Sequence, residues 1–353
     1  MNAIEIKNAT KAYPGFDLGP INMTIRQGEF FGIFGPPSTG KTSILKLILG
    51  LLDPDDGQVV LSGRDGADLD VAERDISMVF QNLALFPHMT GRENIIFPLT
   101  ERGAPEAEIA ERLDFVSEVL HVSHILHKNP AQMSGGERQR IALGRAFAAD
   151  SRAMLLDEPI AALDARLREE MRVELKRLQR ENNQTFVYVS HDEEEVMAIS
   201  DRVAVVIDGQ IAQIGTPDDV YSRPNALAVA QVIGSPPMNL FHGSFSADGK
   251  QFESASPPLS CPLDAAAQTG GDGTLGIRPE DIWLNSDAQD FSVAVTVSSI
   301  EPLGGYTIVN VMLGDQILKV RAPGQTDLAP GDTVQASFDQ RRLHLFDADG
   351  QRL

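Results

Sequence analysis

Residues 35–42, Gly-Pro-Pro-Ser-Thr-Gly-Lys-Thr, restrict the fold of this chain more than any other stretch. They fit the pattern G-x-x-x-x-G-K-[ST], in which successive backbone N–H groups turn inward on an anion at the start of a helix. The pattern carries this meaning only between a buried strand and a helix. Here the apolar run 29–34 precedes it and the amphipathic run 42–49 follows it. Lys41 is then placed to reach the β and γ phosphates of a nucleotide, and Thr42 to offer its hydroxyl to Mg²⁺.

Further short apolar runs at 3–7, 58–61, 76–80, 153–156 and 185–189 read as strands. Helical patterns lie between them at 106–120, 136–149 and 165–181. This alternation predicts an α/β domain with a largely parallel sheet. The many charges of 165–181 fall at helical spacing and predict a solvated face, not a nucleic-acid footprint.

The texture changes near residue 234, at the breaker cluster Gly234-Ser235-Pro236-Pro237. Beyond it, short runs at 240–245, 273–277, 291–300, 306–312, 316–320, 333–338 and 343–346 are separated by Asp-Gly and Gly-Asp pairs. They predict a small all-β barrel or sandwich. A length of 353 residues accommodates both parts as separate domains, 1–235 and 236–353. Thirty basic residues against 50 acidic ones give a net charge of −20, which opposes binding to a phosphate backbone. No run reaches the roughly 18 apolar residues of a membrane span. The start, MNAIEIKNATKAY, carries no apolar signal region, which argues against export. The single cysteine, Cys261, excludes an internal disulfide, fits a reducing compartment and reads as a small packing residue.

Three further groups carry chemistry. Asp157 and Glu158 follow the run 153–156, at the strand end where an α/β sheet presents its ligands. Asp157 is placed to orient Mg²⁺, and Glu158 to act as general base on the attacking water. Ser134, Gly135 and Gly136 open a helix, a second anion-binding arrangement. One nucleotide's phosphates are already served by the first loop, so this cradle is expected to serve another, across a dimer interface. His191 follows the run 185–189 and is placed to hydrogen-bond the γ phosphate.

Together these residues resemble the ATP-binding subunit of ATP-binding-cassette (ABC) transporters, over about residues 3–235. Their order along the chain is that family's order. The resemblance implies an α/β phosphate-loop NTPase cassette, with a helical subdomain at about 85–150, followed by a small all-β OB-like barrel domain. It implies ATP and Mg²⁺ as cofactors. It assigns Gly35, Pro36, Pro37, Ser38, Thr39, Gly40, Lys41, Thr42 and Ser43 to the nucleotide, and Tyr13 to the adenine. Gln81 becomes a Mg²⁺-sensing residue leading into the membrane-coupling segment 81–98, Ser134-Gly135-Gly136 the signature, and Asp164 the loop that communicates across a dimer. Thr42, Gln81 and Asp157 form the metal set; Glu158, His191 and Lys41 the catalytic set.

Segments 84–90, 214–217 and 233–239 look like the maltose-type carbohydrate importers, and 276–280 is similar to a motif of their transport-associated OB domain. The implied function is the ATP-hydrolysing subunit of a bacterial importer for a sugar, polyol or glycerol-type solute. Its implied place is the cytoplasmic face of the inner membrane, as a peripheral subunit. The implied partners are two integral permeases, a periplasmic solute-binding protein acting indirectly, and a second ATPase chain, identical or different. No nucleic acid is expected. Spermidine- and ferric-type importers share this layout. A soluble cassette ATPase unconnected to transport is the alternative from another class; a single motif set and the lack of sustained heptads oppose it. The β domain either widens the dimer interface or binds a regulator. Several residues depart from the family pattern. Ser38 stands where glycine is usual, tolerable if its φ is negative. Met133 replaces leucine. Glu137 replaces glutamine and adds charge near the partner's nucleotide. Ala161 and Ala162 remove polar groups before Asp164.

Overall fold

The computed structural model describes residues 2–263, 270–285 and 291–353. By internal contacts the chain divides into two compact units, Met1–Pro217 and Asp218–Leu353.

The first unit begins with an antiparallel sheet. Its long hairpin is β1 (Asn2–Tyr13) and β2 (Phe16–Arg26); β1 also pairs with β4 (Asp56–Leu61), and β4 with β5 (Arg64–Asp65). The central six-stranded sheet holds β3 (Phe30–Phe34), β6 (Ile76–Val79), β7 (Ala153–Asp157), β8 (Thr185–Ser190), β9 (Arg202–Ile207) and β10 (Gln210–Gly215). Their order is β10-β9-β3-β8-β7-β6, parallel throughout except for the β10–β9 hairpin. Every residue of β3, β7 and β8 is buried. A parallel sheet covered on both faces requires such continuous apolar strands.

The helices are α1 (Lys41–Leu49), α2 (Gly91–Glu101), α3 (Glu106–Val119), α4 (Gly135–Ala148), α5 (Ala165–Asn182) and α6 (Glu193–Ile199). Along α5 the buried apolar residues are Met171, Leu175 and Leu178, a single stripe at helical spacing; Arg166, Glu169, Glu170 and Arg177 face solvent as the sequence predicts, whereas Arg168, Arg172, Glu174 and Lys176 are half-buried. The apolar side chains of α1 join Ile33, Leu155, Val187 and Ala204 of the parallel sheet and Ile4, Ile21 and Val59 of the antiparallel sheet in one core.

The second unit includes α7 (Pro217–Ser222) from residue 218 onward and α8 (Leu227–Val232). Among the described residues ten strands follow: β11 (Asn239–Phe245), β12 (Gln251–Ala255), β13 (Pro258–Pro262), β14 (Gly271–Ile277), β15 (Ile282–Leu284), β16 (Phe291–Pro302), β17 (Tyr306–Leu313), β18 (Gln316–Pro323), β19 (Thr333–Phe338) and β20 (His344–Asp347). They form two antiparallel sheets, β13-β12-β11-β14-β20 and β15-β19-β16-β17-β18. Phe241, Phe252 and Leu275 of one sheet share a core with Val295, Val309 and Phe338 of the other. Cys261 lies in that core, where burial pushes its thiol up to about 12, so it packs and does not react.

The contact division falls earlier than the breaker cluster at 234–237, because residues 218–235 pack with the β-rich unit. The Arg278 guanidinium, 1% exposed, donates to the main-chain oxygens of Ile233 and Tyr221 and lies 4.0 Å from the Tyr221 ring centroid. Leu227 N–H donates to Gly350 O at 2.7 Å.

Candidate nucleotide site

Four neighbouring parallel strands, β3, β8, β7 and β6, end on the same edge of the sheet. The register pairs Phe34 with Ser190, Asp157 with Val189, and Val79 with Leu156. The residues that follow each strand therefore converge. β3 delivers the loop 35–42, β8 delivers His191, β7 ends in Asp157 and delivers Glu158, and β6 delivers Gln81. Such a crevice at the carboxyl ends of strands is where open α/β sheets bind ligands. It is a cleft of about 480 Å³, lined by the loop from Pro37 to Ser43 together with Tyr13, Gln81, Asp157 and Glu158. Phe16 and Val189 also line it. Phe16 lies only three residues past Tyr13, but no motif includes it. The 6.2 Å separation of its ring from that of Tyr13 makes a second aromatic wall.

The loop geometry follows from its glycines. A Cβ on Gly35 would sit 2.1 Å from Val206 O, so the chain can pass β9 only without a side chain. Gly40 has φ +93° and leads the backbone into α1. Ser38 is also left-handed, with φ 65°, so the negative angle that would make serine tolerable there is not adopted.

Lys41 is buried. Its Nζ donates to Gly35 O and Pro36 O, both at 2.7 Å. Burial pulls its pKa down, opposed by the nearby carboxylates of Glu158 and Asp157. The Thr42 hydroxyl donates to Asp157 Oδ2 at 2.9 Å. Burial raises the Asp157 carboxyl, and the Thr42 bond works against that rise. A hydroxyl and a buried carboxylate side by side are hard oxygen donors of the kind Mg²⁺ takes, so the residues present fit that ion. Glu158 lies between two partners. His191 Nδ1 is 2.8 Å from Oε1, and Gln81 Nε2 donates to Oε2 at 3.3 Å. The Tyr13 hydroxyl bonds Ser43 Oγ at 3.2 Å, which fixes the ring at the cleft wall.

Gln81 is itself positioned by a residue that no motif marks. Leu83 and Ala84 follow it in the left-handed region, φ 63° and 45°. The Arg145 guanidinium of α4 donates to both of their carbonyls, at 3.0 and 2.7 Å. No spacing rule links residues this far apart, so only the fold reveals the clamp.

Ser134, Gly135, Gly136 and Asp164 do not line this cleft. Ser134 caps α4, its Oγ accepting from Glu137 N–H at 3.2 Å. Asp164 caps α5, accepting from Leu167 N–H at 3.0 Å. Glu137 is not a loose charge. It accepts from Ser134 N–H at 2.7 Å and pairs with Lys128 at 2.8 Å, and these contacts lower its pKa to about 2. Met133 is buried, as a leucine substitute should be.

Residues 18–161 match the ABC transporter family, 275–346 the TOBE domain and 234–282 the MalK OB fold domain. An sn-glycerol-3-phosphate import ATP-binding protein of Agrobacterium fabrum is 39% identical over the whole of both chains. The chain belongs to the ABC transporter ATP-binding proteins. As a member of that family it is an ATPase that binds ATP. The xylose/arabinose import ATP-binding protein of Haloferax volcanii is 41% identical over 99% of this chain and 94% of its own. The sulfoquinovosyl glycerol transport ATP-binding protein of A. fabrum is 36% identical over 100% and 99%. Among solved structures, a dimeric bacterial ABC transporter cassette aligns with 61% of this chain and 98% of its own, at a TM-score of 0.57 and 31% identity. A post-hydrolysis state of such a cassette, bound to ADP and Pi, aligns over the same shares at 0.57 and 32%. Among the described residues of this ABC ATPase, no helix is long and apolar enough to cross a membrane.

Proposed function

We propose that this chain is the ATP-hydrolysing subunit of an importer for a sugar or a glycerol-type solute. The convergence of Lys41, the Thr42–Asp157 pair and Glu158 at the ends of β3 and β7 carries the reading. Relatives aligned over nearly the whole chain support the solute class; sulfoquinovosyl glycerol, sn-glycerol-3-phosphate and xylose or arabinose are all named for proteins 36–41% identical to this one. The chain works as a peripheral subunit at the cytoplasmic face of the membrane, on two integral permeases fed by a solute-binding protein.

Two cassettes close face to face on two ATP molecules. Each nucleotide lies between Lys41 and Thr42 of one chain and Ser134 to Gly136 of a second copy. Tyr13 packs on the adenine. Lys41 neutralises charge on the β and γ phosphates. Thr42, Asp157 and Gln81 would hold Mg²⁺, which would supply further charge neutralisation on the phosphates. Glu158 accepts a proton from the attacking water, and His191 orients the γ phosphate. Closure reaches the permeases through the segment 81–98, and hydrolysis resets it.

Glu158→Gln keeps the shape of the cleft and removes the base. It is expected to lower steady-state hydrolysis at least about a hundredfold and to trap an ATP-bound dimer on size exclusion. Normal turnover in that variant would remove Glu158 from catalysis. Affinity purification from solubilised membranes tests the assembly: two permeases with this chain as sole ATPase support the homodimeric importer, and no membrane partner defeats it.

A further inference from the structure

Gln139 lies in the second turn of α4 and is 2% exposed. The proposed chemistry makes no use of it, yet both ends of its side-chain amide are engaged. Its Nε2 donates to the main-chain oxygen of Glu158 at 3.1 Å, and its Oε1 accepts from the Ala162 N–H at 3.0 Å. One side chain of the signature helix thus brackets the turn that leaves β7.

That turn needs support. Glu158 has φ 50°, in the left-handed region that L side chains rarely adopt. Such a conformation persists where the surroundings over-determine it. Glu158 N–H donates to Val189 O at 2.9 Å, which anchors the amide side of the residue. On the carbonyl side Ala161 N–H contributes a long bond of 3.4 Å, leaving Gln139 as the shorter one. The backbone angle sets where Cβ points, and so where the carboxylate meets His191 and Gln81. The helix itself sits against the same loop: a Cβ on Gly136 would lie 3.2 Å from Leu163 Cδ2.

We infer that Gln139 is a positioning residue for hydrolysis, holding Glu158 in its left-handed conformation and tying that carboxylate to the helix headed by Ser134. This rests on the reading of Glu158 as the general base. In the closed dimer, Glu158 serves the chain's own ATP while Ser134 faces the ATP on the second copy. Gln139 therefore links the two sites through a single buried side chain.

The test uses the purified full-length chain. Gln139→Leu removes both bonds; Gln139→Glu keeps the acceptor for Ala162 N–H and loses the donor to Glu158 O. Both are expected to lower kcat about tenfold or more while the Kd for a fluorescent ATP analogue stays within about twofold. Closure does not need the carboxylate. Adding Gln139→Leu to Glu158→Gln should therefore leave ATP-driven dimerisation, measured by sedimentation, within about threefold. Normal kcat in both Gln139 variants overturns the inference. So does loss of dimerisation in the double variant, because Gln139 would then be building the signature surface. Glu158→Gln measured alone separates the two ideas: if it turns over normally, the assignment of the base has failed, whatever Gln139 does.

Discussion

Ser38 is exposed and left-handed in a loop whose shape is fixed by its neighbours. The left-handed region costs a non-glycine residue about 1–2 kcal/mol, whereas glycine enters it freely but loses about 0.5–1 kcal/mol of chain entropy. The balance favours glycine. Ser38→Gly is expected to raise stability by about 0.5–1 kcal/mol in thermal or urea unfolding, and to leave the KM for ATP within about twofold. A destabilised variant would mean that the serine side chain contributes a contact outweighing the strain. The phosphate loop, Asp157, Glu158 and His191 were all legible in the sequence, because each chemical group directly follows an apolar run. The left-handed angles at Ser38 and Glu158 were not. The angle at Glu158 is held by bonds to Val189 and Gln139, residues far away in the chain.

Among the elements, α4 concentrates several of these long-range ties. Its first turn is capped by Ser134 and Glu137, its second holds Gln139, and Arg145 near its end clamps the loop after Gln81. The apolar positions of this helix recur with helical period and place it, from sequence alone, to within one residue of its observed ends. The period of α2 is obscured by Pro98, although Thr90 and Glu93 form the capping box that starts it. In β2, Gly19-Pro20 likewise breaks the alternation that marks a strand. The side chains of Gln139 and Arg145 were out of reach, because nothing local marks which loops they meet. The Lys128–Glu137 pair yields a prediction at this scale. Lys128→Met leaves a carboxylate without its cation at the helix end proposed to receive ATP on a second copy. The ATP concentration for half-maximal hydrolysis is expected to rise about threefold to tenfold at low salt, and less at high salt. Lys128→Met combined with Glu137→Gln should recover the parent value. An unchanged ATP dependence in the single variant would place Glu137 outside the field of the nucleotide.

At the scale of the whole molecule, the two units can be followed separately, because the single tryptophan of the sequence, Trp283, lies on β15 of the second. That unit carries a titrating group of its own. His344 is buried, and Arg352 Nη1 lies 3.0 Å from its Nδ1 as donor to an unprotonated nitrogen. Burial first, then the cations of Arg352 and Arg278, push its pKa from 6.5 down to about 3. A depressed histidine contributes stability that is fully present above 6.5. As pH falls below that value the unfolded chain takes up a proton that the folded unit refuses. The loss is about 1.4 kcal/mol per pH unit until the folded pKa is reached. Asp281, whose carboxyl is raised by burial, has the opposite sign, with stability gained as acid protonates it. The window between pH 6.5 and 5 is therefore the one in which His344 is to be read. Urea unfolding followed by Trp283 fluorescence should show stability falling across that window. His344→Gln keeps an acceptor for Arg352 and cannot titrate, so its profile should be flatter there. Equal slopes for parent and variant would show that His344 titrates alike in the folded and unfolded unit, and that acid acts on this unit through other groups.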